Sequence, residues 1–222
     1  MDHAADHSEG GRRSRSALVV RPCKMSGASG ASLRRRTETA GARWVEIDPA
    51  TKTWTIPLER AKNGRTHVVP LSDDAMELLA LARRLPGGNG EYIFPSPTKP
   101  QQHLEPHAMT RAVSRICERH ELPPGSPHDF RRSGATVLTG EKYGVRRFII
   151  GKVLGHTAQE GAAVTAVYDR NEYLADKRAA LDLWAGHLAG LSGEGGGDDP
   201  ADGAQDRPSE DRALVGELMF GG

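Results

Sequence analysis

The sequence predicts a mainly α-helical α+β domain with a small three-stranded antiparallel sheet. Three observations carry that reading. Short runs rich in β-branched and aromatic residues are confined to residues 44–71. Apolar residues at helical spacing recur from Met76 to Leu188. The chain has 222 residues, of which 26 are glycine and only 37% hydrophobic, so part of it is expected to lie outside any core.

Residues 1–36 hold a Gly-Ser-Ala tract, arginine clusters and one short apolar run at 17–20, with no helical period, and little fixed structure is expected there. Residues 37–190 form the expected folding unit, a size at which about two-thirds of the unfolded surface can be buried. Residues 191–222 read as an acidic, Gly-rich disordered tail with one apolar patch at 214–220.

Within the unit, runs at 44–47, 53–57 and 67–71 are separated by Asp48-Pro49 and by Lys62-Asn63-Gly64, which predicts a meander with Lys62 in a β-turn. Ser72 followed by Asp73 and Asp74 marks a helix start, Met76, Leu78, Leu79 and Leu81 its apolar face, and Pro86-Gly87-Gly88 its end. A second stripe runs through Met109, Ala112, Val113, Ile116 and Cys117, stopped by Pro123-Pro124. Phe130, Val137 and Leu138 mark a helix opening at His128-Asp129, and Phe148, Ile149 and Val153 one closed by Gly155. Leu174, Leu181, Trp184 and Leu188 form the last stripe.

Composition narrows the function. No run of 18 apolar residues exists and the N-terminus has no charged-then-apolar export pattern, so a cytoplasmic protein without membrane association is expected. Cys23 and Cys117 are far apart and lack CxxC partners, which excludes a disulfide scaffold and the usual zinc-finger spacings. The 30 basic and 29 acidic residues are unevenly placed. Through Gly190 the chain has 28 basic and 21 acidic residues, against 2 and 8 beyond it. A basic body able to meet a polyanion therefore precedes an acidic end.

The chemistry-bearing residues fall in a fixed order. His128 and Arg131 are three apart and share a helix face, so an imidazole and a guanidinium can converge on one ligand. An arginine fork matches two phosphate oxygens, and a neighbouring histidine can donate a hydrogen bond or move a proton. Leu154-Gly155-His156 follows, 25 residues after Arg131, then Ala166-Val167-Tyr168. Upstream stand Arg34-Arg35-Arg36-Thr37-Glu38 and Ala61-Lys62-Asn63-Gly64.

Taken together these motifs resemble the catalytic domain of the tyrosine recombinase, or phage integrase, family, over about residues 34–188. The resemblance implies that Arg131 and Arg35 hold a scissile DNA phosphate and that His128 and His156 add hydrogen bonds, His128 also able to accept the tyrosine proton. It implies that Lys62 protonates the leaving 5′ oxygen and that Tyr168 attacks to give a 3′-phosphotyrosyl link. Tyr173 is the competing nucleophile. The implied partner is double-stranded DNA, bound by a homo-tetramer on two sites, and neither metal nor cofactor is expected. Arg132 is read as a DNA- or solvent-facing neighbour, and His67, His103, His107, His120 and His187 as surface or packing residues.

Two departures from the family pattern shape the expectations. The segment after Arg35 reads Thr39-Ala40-Gly41-Ala42 and the one before it is Gly/Ser-rich, so no apolar stripe anchors that arginine. No helical clamp domain precedes the catalytic part, which suggests an N-terminally truncated or degenerate integrase. The readings left open are an active strand-exchange enzyme, an inactive DNA-binding remnant and a type IB topoisomerase.

Overall fold

The computed structural model describes residue 28, residues 30–156 and residues 173–192. Tyr168, Cys23 and the acidic tail lie outside the described residues.

The ordered fold begins earlier than composition suggests. Ala31, Leu33 and Arg34 are buried, although composition predicts little structure before residue 37. What packs there is two apolar side chains and a guanidinium rather than a periodic stripe. Leu33 has a left-handed backbone (φ 51°), uncommon for a branched residue, and is fully buried. Helix α1, Arg36–Ala40, follows, with the Glu38 carboxylate accepting from the Arg35 backbone N–H at 3.2 Å and so capping the helix start.

The expected first strand is mostly a 3₁₀ turn, Trp44–Glu46. Glu46 reaches back to the Arg43 N–H at 3.2 Å, and the Trp44 N–H is taken by the Glu91 carbonyl, so only Ile47–Asp48 is left to pair as β1. Strands β2, Thr53–Ile56, and β3, His67–Pro70, complete an antiparallel sheet in the order β1-β2-β3, with Trp54 opposite Val69 and Ile56 opposite His67. Trp54, Ile56 and Val69 turn into the core. Residues 57–66 join β2 to β3 as a ten-residue loop, and within it the Gly64 N–H donates to the Ala61 carbonyl at 2.9 Å, so Lys62 stands in a β-turn as expected.

Helix α2, Asp73–Arg83, starts where Ser72 Oγ accepts from the Ala75 N–H at 3.3 Å and buries Ala75, Leu78, Leu79 and Ala82. Helix α3, Pro106–Arg119, buries all five residues of its predicted stripe. Helix α4, Pro127–Thr139, has Pro127 in its first turn and a reciprocal cap between Ser126 and Asp129 (Oγ to Oδ2, 2.7 Å). Helix α5, Arg147–Leu154, ends at Gly155 in the left-handed conformation (φ 62°, ψ 42°), which glycine adopts without strain. Phe148, expected as a core marker of α5, is 45% exposed, because Ile149, Ile150 and Val153 carry the buried face.

Helix α6, Leu174–Ser192, packs against β3, α5 and α4. Its Trp184 Nε1 donates to the Gly30 carbonyl at 2.9 Å, and Arg178 donates to the Thr51 carbonyl at 2.8 Å. The earliest described segment is thereby tied to the last helix. One main core runs through these elements, and a smaller cluster of Ala112, Val113, Ile116 and Cys117 joins α3 to Phe130 of α4. Among the described residues no helix is long and apolar enough to cross a membrane.

Candidate active site

Arg131 sits one helical turn beyond the α4 cap and is 6% exposed. Its Nη1 donates to the Leu33 carbonyl at 2.6 Å and its Nη2 to the Leu154 carbonyl, so one guanidinium joins the α1 approach, α4 and the end of α5. The left-handed turn at Leu33 presents that carbonyl. Nη2 also lies 3.4 Å from His156 Nε2, a contact in which a neutral imidazole accepts.

His156 is the first residue beyond the αL glycine, and its N–H returns to the Gly151 carbonyl at 2.8 Å. Desolvation pushes its pKa below the usual histidine value, and Arg131, Arg35, Arg34 and Lys62 push it further the same way. His156 is therefore neutral at pH 7. Lys62 itself is exposed, but the neighbouring Asn63 side chain donates to the Gly155 carbonyl, which ties the β2–β3 loop to the turn that carries His156.

Arg35 is anchored, contrary to the expectation drawn from its missing apolar stripe. Its Nη1 meets Glu38 Oε1 at 3.0 Å, and Glu38 is 4% exposed. Arg60 in turn donates to the Glu38 carbonyl at 2.9 Å and to the Glu46 carboxylate, holding α1 against the loop. An ion pair to a buried carboxylate, with the Arg35 side half-buried, replaces the hydrophobic anchor. His128 occupies the second helical position of α4 and is exposed; it is not among the hydrogen-bond partners of Arg131.

Three further residues surround the site. Arg34 is fully buried and donates to the Val153 carbonyl, with Glu38 Oε2 at 4.0 Å; burial pushes its pKa down to about 9. Lys177 of α6 is 2% exposed and donates to the Val68 carbonyl at 2.5 Å. Its sequence signal was legible: Leu174, Lys177, Leu181, Trp184 and Leu188 form one 3-4-3-4 stripe, and a lysine in an apolar stripe needs a polar destination. His67, expected at the surface or in packing, has its Nε2 buried against Gly155 and beside the Val153 backbone. Nothing local in the sequence distinguishes it, since its neighbours come from α5, α6 and the Arg34 segment.

His67 gives the first prediction. Desolvation, with Arg34, Lys177 and Arg131 adding to it and the Val153 backbone opposing in part, pushes its pKa down to about 3 from an ordinary 6.5. Below pH 6.5 the unfolded chain binds a proton at His67 that the folded chain refuses, so stability is complete above 6.5 and falls as pH drops toward 3. The slope from this group approaches about 1.4 kcal/mol per pH unit. His156 and His187 add slopes of the same sign. Urea unfolding of the protein and of His67→Gln at pH 7.5, 6 and 4.5 should give a visibly flatter profile for the variant, and parallel profiles would show that His67 takes up a proton in the fold.

Tyr173 stands at the start of α6 with φ 49°, its ring edge-on to Phe148 at 5.2 Å and under Lys152 Nζ at 4.9 Å. Those contacts place it against the outer face of α5. Cys117 is a free, buried thiol. No group of three or more metal-ligating side chains occurs among the described residues. Arg35, Arg131, His156 and Lys62 act on one another around the C-terminus of α5, with Glu38 as the carboxylate that Arg34, Arg35 and Arg131 face. Positive charge in excess of its buried counter-charge, opening toward an exposed lysine, suits a dianionic or phosphodiester ligand.

A family model described as the phage integrase family matches residues 28–173. Prophage integrase IntA of Escherichia coli (strain K12) is 35% identical over 154 residues, covering 69% of this chain and 35% of that protein. The integrase of Shigella phage Sf6 is 24% identical over 155 residues, covering 69% and 38%. The chain thus spans little more than a third of the length of these relatives. Among solved structures, the integrase from mycobacterium phage Brujita matches with a TM-score of 0.55 at 16% identity, covering 82% of this chain and 59% of that one. XerA recombinase matches with a TM-score of 0.50 at 15% identity, covering 84% and 64%. Both share the fold.

Proposed function

This chain belongs to the phage integrase family, and on that premise we propose that it is a site-specific DNA recombinase that cleaves and rejoins double-stranded DNA through a 3′-phosphotyrosyl intermediate. The observation that carries the proposal is the approach of Arg131 to His156 at the Gly155 turn, with the loop bearing Lys62 tied to that turn and the Arg35 charge acting on both residues.

A phosphodiester resists attack because it is anionic. Arg131 and Arg35 offset charge on the non-bridging oxygens, and their anchoring on carbonyls and Glu38 means that little reorganisation is needed when that charge grows. His156, kept neutral by desolvation and then by its cationic neighbours, donates a hydrogen bond without competing with them for the anion. Tyr168 attacks the phosphorus, and the 5′ oxygen leaves with a proton from Lys62. A phenol has an ordinary pKa of about 10, so nearby positive charge and a base such as His128 make it competent at neutral pH. One ester replaces another, so a second 5′ hydroxyl can reverse the step without an external energy source. Work in the cytoplasm as a tetramer on two DNA sites completes the reading.

The exposed position of His128, outside the hydrogen-bonded cluster, favours a second reading in which the chain binds DNA without cutting it. One experiment separates them. Nicked duplexes tiled across the DNA flanking the coding sequence, incubated with the protein, should trap a denaturant-stable adduct. Trypsin cuts after Lys152, Arg170 and Lys177, so Tyr168 and Tyr173 fall on different peptides. Phosphotyrosine on the peptide ending at Arg170 supports the proposal. Salt-sensitive binding with no adduct on any duplex supports the second reading, and a label on the peptide ending at Lys177 moves the nucleophile to Tyr173.

A further inference from the structure

We propose that Arg34, which no expectation from the sequence assigned a role, is a positioning residue: with Arg131 it clamps the last two carbonyls of α5 and so sets where His156 stands. The inference deepens the recombinase reading and rests on it for its functional consequence.

Helix α5 ends in unpaired carbonyls, as every helix does, and its C-terminus carries partial negative charge. Here two guanidiniums from different parts of the chain take consecutive carbonyls, Arg34 that of Val153 and Arg131 that of Leu154. Both arginines also connect to the Leu33 turn, Arg131 through the Leu33 carbonyl and Arg34 as the next residue, whose Nε donates to the Ser32 carbonyl at 3.3 Å. The Gly155 turn hangs directly from this clamp, and a Cβ added at Gly155 would lie 3.5 Å from Arg34 Nη1. His156 comes next in the chain.

Arg34 and Arg131 differ in one respect that separates their tasks. Arg131 reaches His156, whereas Arg34 is fully buried behind Glu38 and the α5 end, so it cannot touch a DNA phosphate. Its action on a ligand passes through the backbone it holds and through its charge, which is one of those acting on His156. A lysine would keep the charge, but with one ammonium it would not reproduce the planar fork that meets the Val153 and Ser32 carbonyls together.

The test uses the full 222-residue chain with Arg34→Met and Arg34→Lys. Two NMR readouts report directly on position: the pH titration of the His156 ring, and hydrogen exchange of the Gly155 and His156 amides. A third is His156 perturbation by inorganic sulfate. In Arg34→Met, His156 should titrate at higher pH than in the parent, the two amides should exchange about tenfold faster or more, and sulfate should bind correspondingly more weakly. Arg34→Lys should recover most of the titration shift but not the slow exchange. A folded Arg34→Met protein with parental titration and exchange would overturn the proposal. If Arg34→Met does not fold, Arg34→Lys decides: fast exchange at Gly155 and His156 supports the clamp, and parental exchange there sinks it. None of these readouts needs DNA cleavage, so a protein that never forms an adduct still tests the role of Arg34.

Discussion

Arg131→Met should abolish the formation of a covalent DNA adduct, with a drop in its first-order rate of at least about a thousandfold at saturating DNA. Removing a single preorganised donor to a developing anion typically costs 10²–10³ in rate, and Arg131 is both a donor and the support of another, His156. The substitution has a structural side as well. It leaves the Leu33 and Leu154 carbonyls without their buried partner, each worth roughly 1–3 kcal/mol as an unsatisfied group. It also removes a cation from beside Arg34 and Arg35, which offsets part of that loss. Stability should therefore fall less than two orphaned carbonyls imply, while catalysis collapses. Quenched time courses on a nicked duplex give the rate, and thermal unfolding gives the stability. Arg131→Lys, with charge but no fork, should fall between the parent and Arg131→Met. A variant that lost stability while forming adduct at the parental rate would remove Arg131 from the phosphate site.

Helical spacing made much of this legible in advance. The stripe Met109, Ala112, Val113, Ile116, Cys117 is buried in full because a lone apolar period on a helix leaves no other face to pack. Gly155 was readable as a helix stop, since few other residues accept a left-handed φ there. Arg131 and His156 were readable as a pair only through the order of motifs, because 25 residues separate them and the contact is made in three dimensions. The anchoring of Arg35 escapes a sequence reading for a physical reason. A search for an apolar stripe around Arg35 finds none, yet the segment is held by charge, with Glu38 between two guanidiniums and Arg60 on its carbonyl. Ion-pair anchoring leaves little mark on hydrophobic periodicity. The 3₁₀ turn at Trp44 is hidden likewise, because Trp-Val-Glu-Ile has strand composition and it is the Glu46 cap on Arg43 that decides otherwise.

Glu38 is the residue whose loss should cost the fold most. It is 4% exposed, accepts from Arg35 by side chain and backbone, and lies 4.0 Å from Arg34. Deleting one partner of a buried ion pair leaves the other charges uncompensated, a penalty of about 3–5 kcal/mol. In Glu38→Ala the charges left behind are those of Arg35, one of the two guanidiniums proposed to grip phosphate, and of the buried Arg34 behind it. The variant should therefore be strongly destabilised in low salt and regain much of its stability in sulfate, because an anion that binds only the folded form stabilises it by mass action, by about 2.7 kcal/mol at a hundred times its Kd. The parent, with Glu38 already among the arginines, should gain less from the same sulfate. Thermal unfolding of both proteins against sulfate concentration, with chloride at matched ionic strength as control, measures the difference. Equal gains would mean that Glu38 and the anion do not share the arginines, and the phosphate site would then have to lie elsewhere on the basic face. A larger gain in the variant would make Glu38 a built-in competitor for the substrate, one whose negative charge stabilises the empty site and gives way in part when a phosphodiester arrives.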